Sequence, residues 1–299
     1  EADFEVIPPH FYCVDAIRTV HSKDYVDYLS GAYEAWVAAG KSPAGVIPGT
    51  FPVRAIWRRP DDLSRRAGWH CLDTETPITE HTFEAAVGSA RCALTAADLL
   101  LTGENRAYAL CRPPGHHAGR DHCGGYCYFN NAALAATRLR DGSGTACKVA
   151  ILDVDGHHGN GTQSIFYESS DVLYASVHAD PNVTYPYYWG YAEETGAGAG
   201  SGFNLNVPLS PRADETTYFG ALARALEAAQ RFGPDFLVVS LGTDGSADDR
   251  LGPFALSTGA FAEMGQRIAE AGVPTLVVQE GGYHLATLGE CVALFLEAL

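Results

Sequence analysis

Five short apolar runs punctuate the chain, at residues 107–111, 149–154, 172–177, 236–241 and 275–279. Most are rich in β-branched residues and all lack the strict apolar-polar alternation of a half-exposed strand, so each is predicted to be a strand buried on both faces. Between them lie alanine-rich stretches with apolar residues at helical spacing, over 82–101, 130–140, 217–232 and 257–271. Strands that alternate with helices predict an α/β fold, a central and mostly parallel sheet flanked by helices. A chain of 299 residues that is 46% hydrophobic can bury a large core, and residues 1–299 read as one domain.

Two segments break this rhythm. Residues 40–80, with "RAIWRRPDDLSRRAGWH", read as a long loop insertion, an ordered excursion or a partner-facing surface. Residues 178–202, "HADPNVTYPYYWGYAEETGAGAGSG", are aromatic and then glycine-rich, which suits a functional loop. A net charge of −16 argues against binding nucleic-acid phosphates and is compatible with steering a cationic substrate. Eight cysteines without a Cys-x-x-Cys pair read as free thiols in a reducing compartment. With no apolar span long enough for a bilayer and no signal-peptide pattern, the expectation is a cytoplasmic protein without a membrane partner.

The reactive residues fall where predicted strands end. "CRPPGHHAG", "DVDGHHGNG", "GTDGSADD" and "EGGYH" each follow an apolar run. Ligands bind outside the carboxyl ends of parallel strands, so four such clusters should converge on one site. Side chains two apart on an extended strand share a face, which puts Asp153, Asp155 and His157 together. With Asp244 from the next cluster, Asp155 and His157 could hold Zn²⁺ through mixed oxygen and nitrogen ligands, leaving positions open for water and substrate. The tandem His116 and His117, approached through two prolines, suit general acid-base work near neutral pH. Asp153 can orient one of them and Asn160 the other. Tyr283, after Gly281 and Gly282, can bring a phenolic donor to a developing oxyanion. Together these groups describe attack of water on a polarised amide carbonyl.

The motifs "RPPGHHAG", "DVDGHHGNGTQ", "SLGTDGSADDRLG" and "EGGY" resemble those of the zinc-dependent histone deacetylase superfamily. "GGYCYFNNAA", "IFYESSD" and "GYAEETGAGAG" are similar to its bacterial acetylpolyamine amidohydrolase branch. The resemblance implies an arginase-like α/β fold, Zn²⁺ (or Fe²⁺) on Asp155, His157 and Asp244, and His117 as general base. It assigns His116, paired with Asp153, as the electrostatic partner and Tyr283 as the carbonyl-polarising residue, with Asn160 usual for the branch. It further implies a substrate tunnel between Gly125 and Tyr126 on one side and Tyr185 on the other, and a structural K⁺ near Asp153, His157 and Ser176. A first strand of the family fold would lie upstream of residue 1, and the 40–80 loop would help form a homodimer or higher oligomer.

The implied activity is hydrolysis of the N-acetyl or short acyl amide of an amine such as an acetylpolyamine, releasing acetate. The determinants of a cationic tail are less regular. The long loop mixes Asp61 and Asp62 with Arg58, Arg59, Arg65 and Arg66, Ser64 stands where a glutamate is expected, and Leu251 occupies a position that is acidic in animal polyamine deacetylases. Glu193 and Glu194 are alternative cation contacts. Acetyl-lysine in proteins and an acetylated natural-product intermediate are therefore alternative substrates. A binuclear manganese ureohydrolase needs more bridging carboxylates near "DVDGHH", and a non-catalytic acyl binder would have lost the base or the phenol, both present as His117 and Tyr283.

Overall fold

Six strands form one parallel sheet in the computed structural model, which describes residues 4–52, 58–144 and 146–299. They are β1 (Arg106–Ala109), β2 (Val149–Asp153), β3 (Val172–Ala179), β4 (Asn204–Leu209), β5 (Phe236–Leu241) and β6 (Thr275–Gln279), in the order β1-β6-β5-β2-β3-β4. The helices are α1 (Lys23–Ala38), α2 (Ala67–His70), α3 (Thr82–Leu101), α4 (Asn131–Gly142), α5 (Asn160–Phe166), α6 (Glu215–Phe232), α7 (Ala260–Ala269) and α8 (Leu285–Ala298).

Successive residues of the central strands feed two separate cores, which explains their unbroken apolar character. Val149 and Ile151 of β2 join one with Tyr174, Val238 and Leu276, covered by α1, α3 and α4. Ala150 and Leu152 join the other with Leu173, Val239 and Val277, covered by α6, α7 and α8. From β2 the chain steps outward through β3 to β4, then returns to place β5 on the other side of β2. That reversal opens a crevice between β2 and β5 at their carboxyl ends, the position at which such sheets bind ligands.

All five expected strands are present, with β1 set earlier, at Arg106–Ala109, and β3 longer, reaching Ala179. The first of these shifts because Pro113 and Pro114 turn the chain before Cys111 can pair. Strand β4 escaped the apolar pattern: Asn204 and Asn206 interrupt it, and Pro208 is tolerated because this edge strand has a neighbour on one side only. Helix α6 begins at Glu215 because Asp214 caps it, accepting from the Thr217 N–H at 2.9 Å. Helix α7 is shorter than expected, and α1, started by the Ser22 cap, was not anticipated.

The 40–80 segment is an ordered excursion, although its residues 53–57 lie outside the described set. Val46 bridges Ile78, and a 3₁₀ turn (Leu63–Arg65) leads into α2. Four of its described arginines are paired within the chain: Arg59 and Arg66 reach Asp24 on α1, Arg58 meets Asp61, and Arg65 meets Asp62. Among the described residues no helix is long and apolar enough to cross a membrane, and all eight cysteines are free.

Candidate active site

Asp155, His157 and Asp244 converge in the crevice, with one ligand atom from each within 4.8 Å of the others. The strand ends at Asp153, so alternation along an extended strand does not explain the grouping; the turn after β2 does. Its backbone is held by the same carboxylates, the His157 N–H donating to Asp155 Oδ1 at 2.8 Å and the Gly156 N–H to Asp244 Oδ1 at 2.8 Å. Gly281, at the end of β6, donates to Asp155 Oδ2 at 2.9 Å. His157 Nδ1 lies 2.8 Å from Asp244 Oδ2 and 3.4 Å from Asp155 Oδ1. Two buried carboxylate oxygens and a ring nitrogen facing one point are a donor set that suits a divalent cation.

Asp153 points elsewhere. Its Oδ2 accepts from His116 Nδ1 at 3.1 Å and from the Tyr174 hydroxyl at 2.9 Å, and its Oδ1 from the Asp155 N–H at 3.2 Å. His117 donates from Nδ1 to Asn160 Oδ1 at 2.8 Å, which leaves Nε2 as the atom able to accept a proton. The two rings are 4.0 Å apart. Their different partners drive their charges apart. Burial opposes a cation on His116, but Asp155 and Asp153 outweigh it and lift its pKa to about 10. Burial and the positive His116 and His157 hold His117 well below the ordinary histidine value. A neutral base beside a charged acid is what acid-base chemistry near pH 7 requires.

A sequence profile described as "Histone deacetylase domain" matches residues 2–299. The chain belongs to the histone deacetylase family. It is 44% identical over 287 residues to acetylpolyamine amidohydrolase 2 of Pseudomonas aeruginosa, covering 95% of this chain and 82% of that protein. Identity to acetylpolyamine amidohydrolase of Mycoplana ramosa is 44% over 301 residues, covering 100% of this chain and 87% of the relative. The crystal structure of acetylpolyamine aminohydrolase from Burkholderia pseudomallei superposes with a TM-score of 0.93 at 40% identity, over 99% of this chain and 85% of that one.

In this deacetylase domain the residues expected as tunnel walls lie beside His117 and Tyr283. Tyr185 packs edge-on against His117 with centroids 5.0 Å apart, and Tyr126 against Tyr283 at 5.8 Å. Gly125, at φ +54°, lies so close to His117 that a Cβ would sit 2.2 Å from its Cδ2. Leu251 is 52% exposed on the loop that follows Asp244. Burial and then the Asp244 and Asp155 charges raise the Tyr283 phenol far above its ordinary value, which keeps it a proton donor.

Four carboxylates were placed differently or missed. Asp73 accepts from the Gly125 N–H at 2.7 Å and the Tyr185 hydroxyl at 2.8 Å, joining the two walls. Glu280 accepts from the Gly115 and His116 N–H groups at 2.7 and 3.0 Å, which positions the histidine turn. With Ser240 on its other oxygen, Glu280 is committed, so its proximity to His116 and Cys127 does not make a second metal centre. Asp249 binds the backbone of Tyr283. Glu194, a candidate cation contact, instead turns inward to Gln163 Nε2 at 2.6 Å and the Gly190 N–H at 2.9 Å, anchoring the aromatic loop. Glu193 is exposed. His158 faces away, to Gln163 Oε1 at 3.1 Å, and Ser176 Oγ pairs with His178 Nδ1 at 2.8 Å.

Burial disfavours a cation on His157, but Asp244 and Asp155 raise its pKa to about 10. Asp244 is pushed up to about 6 by burial and Asp155, with His157 pulling the other way. A histidine whose pKa rises on folding contributes stability that is complete below its unfolded value of about 6.5 and is lost as pH passes the folded value. The melting temperature of chelator-treated protein should therefore fall from pH 7 to pH 10, and fall less in H157N. A flat or rising melting temperature over that range would contradict the assignment.

Proposed function

We propose that the chain is a metal-dependent deacetylase that hydrolyses the N-acetyl amide of an amine, with acetylpolyamines as the substrate class and Zn²⁺, or Fe²⁺ in the cell, as the metal. The observation that carries the reading is the pairing of His117 with the neutral amide of Asn160 and of His116 with the Asp153 carboxylate, beside the Asp155, His157 and Asp244 donor set. Asp155, His157 and Asp244 would hold the metal. Bound there, it would supply Lewis-acid polarisation of the acetyl carbonyl and a lowered pKa for water.

The remaining steps belong to the side chains. His117 Nε2 takes the proton of the attacking water, and Asn160 keeps the tautomer in which that atom is free. Tyr283 donates its phenolic proton in a hydrogen bond to the oxyanion of the tetrahedral intermediate. His116, held charged through Asp153, stabilises the same negative charge. The proton then passes from a histidine to the leaving amine nitrogen, and the carbon-nitrogen bond breaks to give acetate and amine.

The substrate class rests on the two acetylpolyamine amidohydrolases and on the acidity of the chain, −16 in net charge. An uncharged Leu251 on the rim and an inward Glu194 favour a wider range of acetylated amines, acetyl-lysine among them. The same reading keeps a structural K⁺ beside Asp153, His157 and Ser176, where β2 and β3 run in register. It also keeps self-association, supported by the exposed Phe4, Val6 and Phe11 near the amino end.

Metal-loaded protein should release acetate from N-acetylputrescine, and Y283F should lower kcat on the order of 10²- to 10³-fold, as loss of an oxyanion donor does. No acetate from a panel of acetylated amines and peptides, or a Y283F variant as active as wild type, would refute the reading. Light scattering at micromolar concentration should give a dimer or larger species, and a monomer would remove self-association from it.

A further inference from the structure

Tyr283 leaves β6 through Gly281 and Gly282, and a phenol placed in this way is fixed only as well as its backbone. Gly282 sits at φ +142°, and a Cβ there would lie 2.1 Å from Thr243 Oγ1, so the chain enters Tyr283 without a side chain to brace it. The phenolic hydroxyl makes no hydrogen bond among the described residues, and its ring has only the edge of Tyr126 beside it as an aromatic neighbour.

We propose that Asp249 is the positioning residue that sets Tyr283, an inference that rests on reading Tyr283 as the oxyanion donor. Asp249 is only 6% exposed. Its Oδ2 accepts from both the Tyr283 N–H at 2.6 Å and the His284 N–H at 3.0 Å. Its Oδ1 accepts from the Leu251 N–H at 3.0 Å. The residue lies five positions beyond Asp244, and its own N–H donates to the Ser246 carbonyl at 3.1 Å, which ties it to the loop carrying that ligand candidate.

One buried carboxylate thus joins three parts of the site: the Asp244 loop, the Leu251 rim and the backbone of the phenol. No Lys or Arg pairs with it among the described residues, and its charge is met by three backbone N–H groups. Bonds of this kind to an ionised acceptor are shorter and about twice as strong as neutral ones. Both oxygens are in use, so an amide cannot replace the carboxylate without turning an NH₂ towards an N–H. The backbone at 282–284 then loses part of its anchor, and the phenol loses its fixed distance from the carbonyl oxygen. Asp249 does not touch the substrate in this account; it acts through Tyr283.

The test is a double-mutant cycle of wild type, D249N, Y283F and D249N/Y283F, with acetate release from N-acetylputrescine, metal content and melting temperature measured for each. D249N should lower kcat about 10- to 100-fold, the loss expected when a reacting group is misplaced by an ångström, with KM and metal content close to wild type. In the Y283F background the same substitution should change kcat less than about twofold, because residues acting through one group are not additive. Equal losses in both backgrounds, or wild-type kcat in D249N, would overturn the inference. A fully active Y283F would instead overturn the reading of the phenol on which it rests. If D249N loses metal or fold, D249S carries the same cycle, since a hydroxyl retains one acceptor in a smaller volume.

Discussion

Two carboxylates and an imidazole, buried together where β2 and β5 end, impose the constraint that the rest of the site answers. Asp155 and Asp244 are 1% and 0% exposed. Isolated negative charges at such depth cost several kcal/mol or more unless paired, hydrogen-bonded or bound to a metal. The fold meets part of that cost with backbone N–H groups of Gly156, His157 and Gly281 and with the imidazoles of His157 and His116 close by. Gly156 and His157 come from the turn after β2, Gly281 from the turn after β6 and His116 from the turn after β1. The parallel sheet is therefore what allows so much like charge to be gathered in one place.

The same constraint explains why adjacent histidines behave differently. His116 faces carboxylates and is held charged; His117 faces a neutral amide and is held neutral. Neither state is a property of the His-His dipeptide. It follows from which side of the crevice each ring reaches, and so from Glu280 fixing the backbone of the turn through Gly115 and His116. Around this centre other carboxylates hold the neighbouring aromatic residues: Asp73 for Gly125 and Tyr185, and Asp249 for Tyr283.

Much of the fold was legible because strands buried on both faces leave continuous apolar runs. β2, β3, β5 and β6 all show it, whereas β4 does not, since one face carries Asn204 and Asn206 against Gln163. The candidate metal residues, both histidines and Tyr283 stand out in the sequence as polar clusters after apolar runs, and the structure brings them into one crevice. The supporting carboxylates do not stand out. Asp249 stands in a run of acids, "ADDR", where nothing distinguishes it from the exposed neighbour Asp248. Asp73 and Glu194 act across 52 and 31 residues of sequence, on Gly125 and Gln163, and such partners follow only from the folded chain. Glu194 also shows why exposure cannot be read from a glycine-rich loop: its carboxylate is the anchor that holds the loop down.

The central claim is that Asp155, His157 and Asp244 form one mononuclear metal centre, the feature on which the proposed roles of His116, His117 and Tyr283 depend. Metal analysis of purified protein, after dialysis with Zn²⁺, tests this most directly when repeated on D244A and H157A variants that remain folded. The account predicts one divalent ion per chain in wild type and loss of that ion in both variants. Two ions per chain, or an ion retained when Asp244 and His157 are removed, would contradict it.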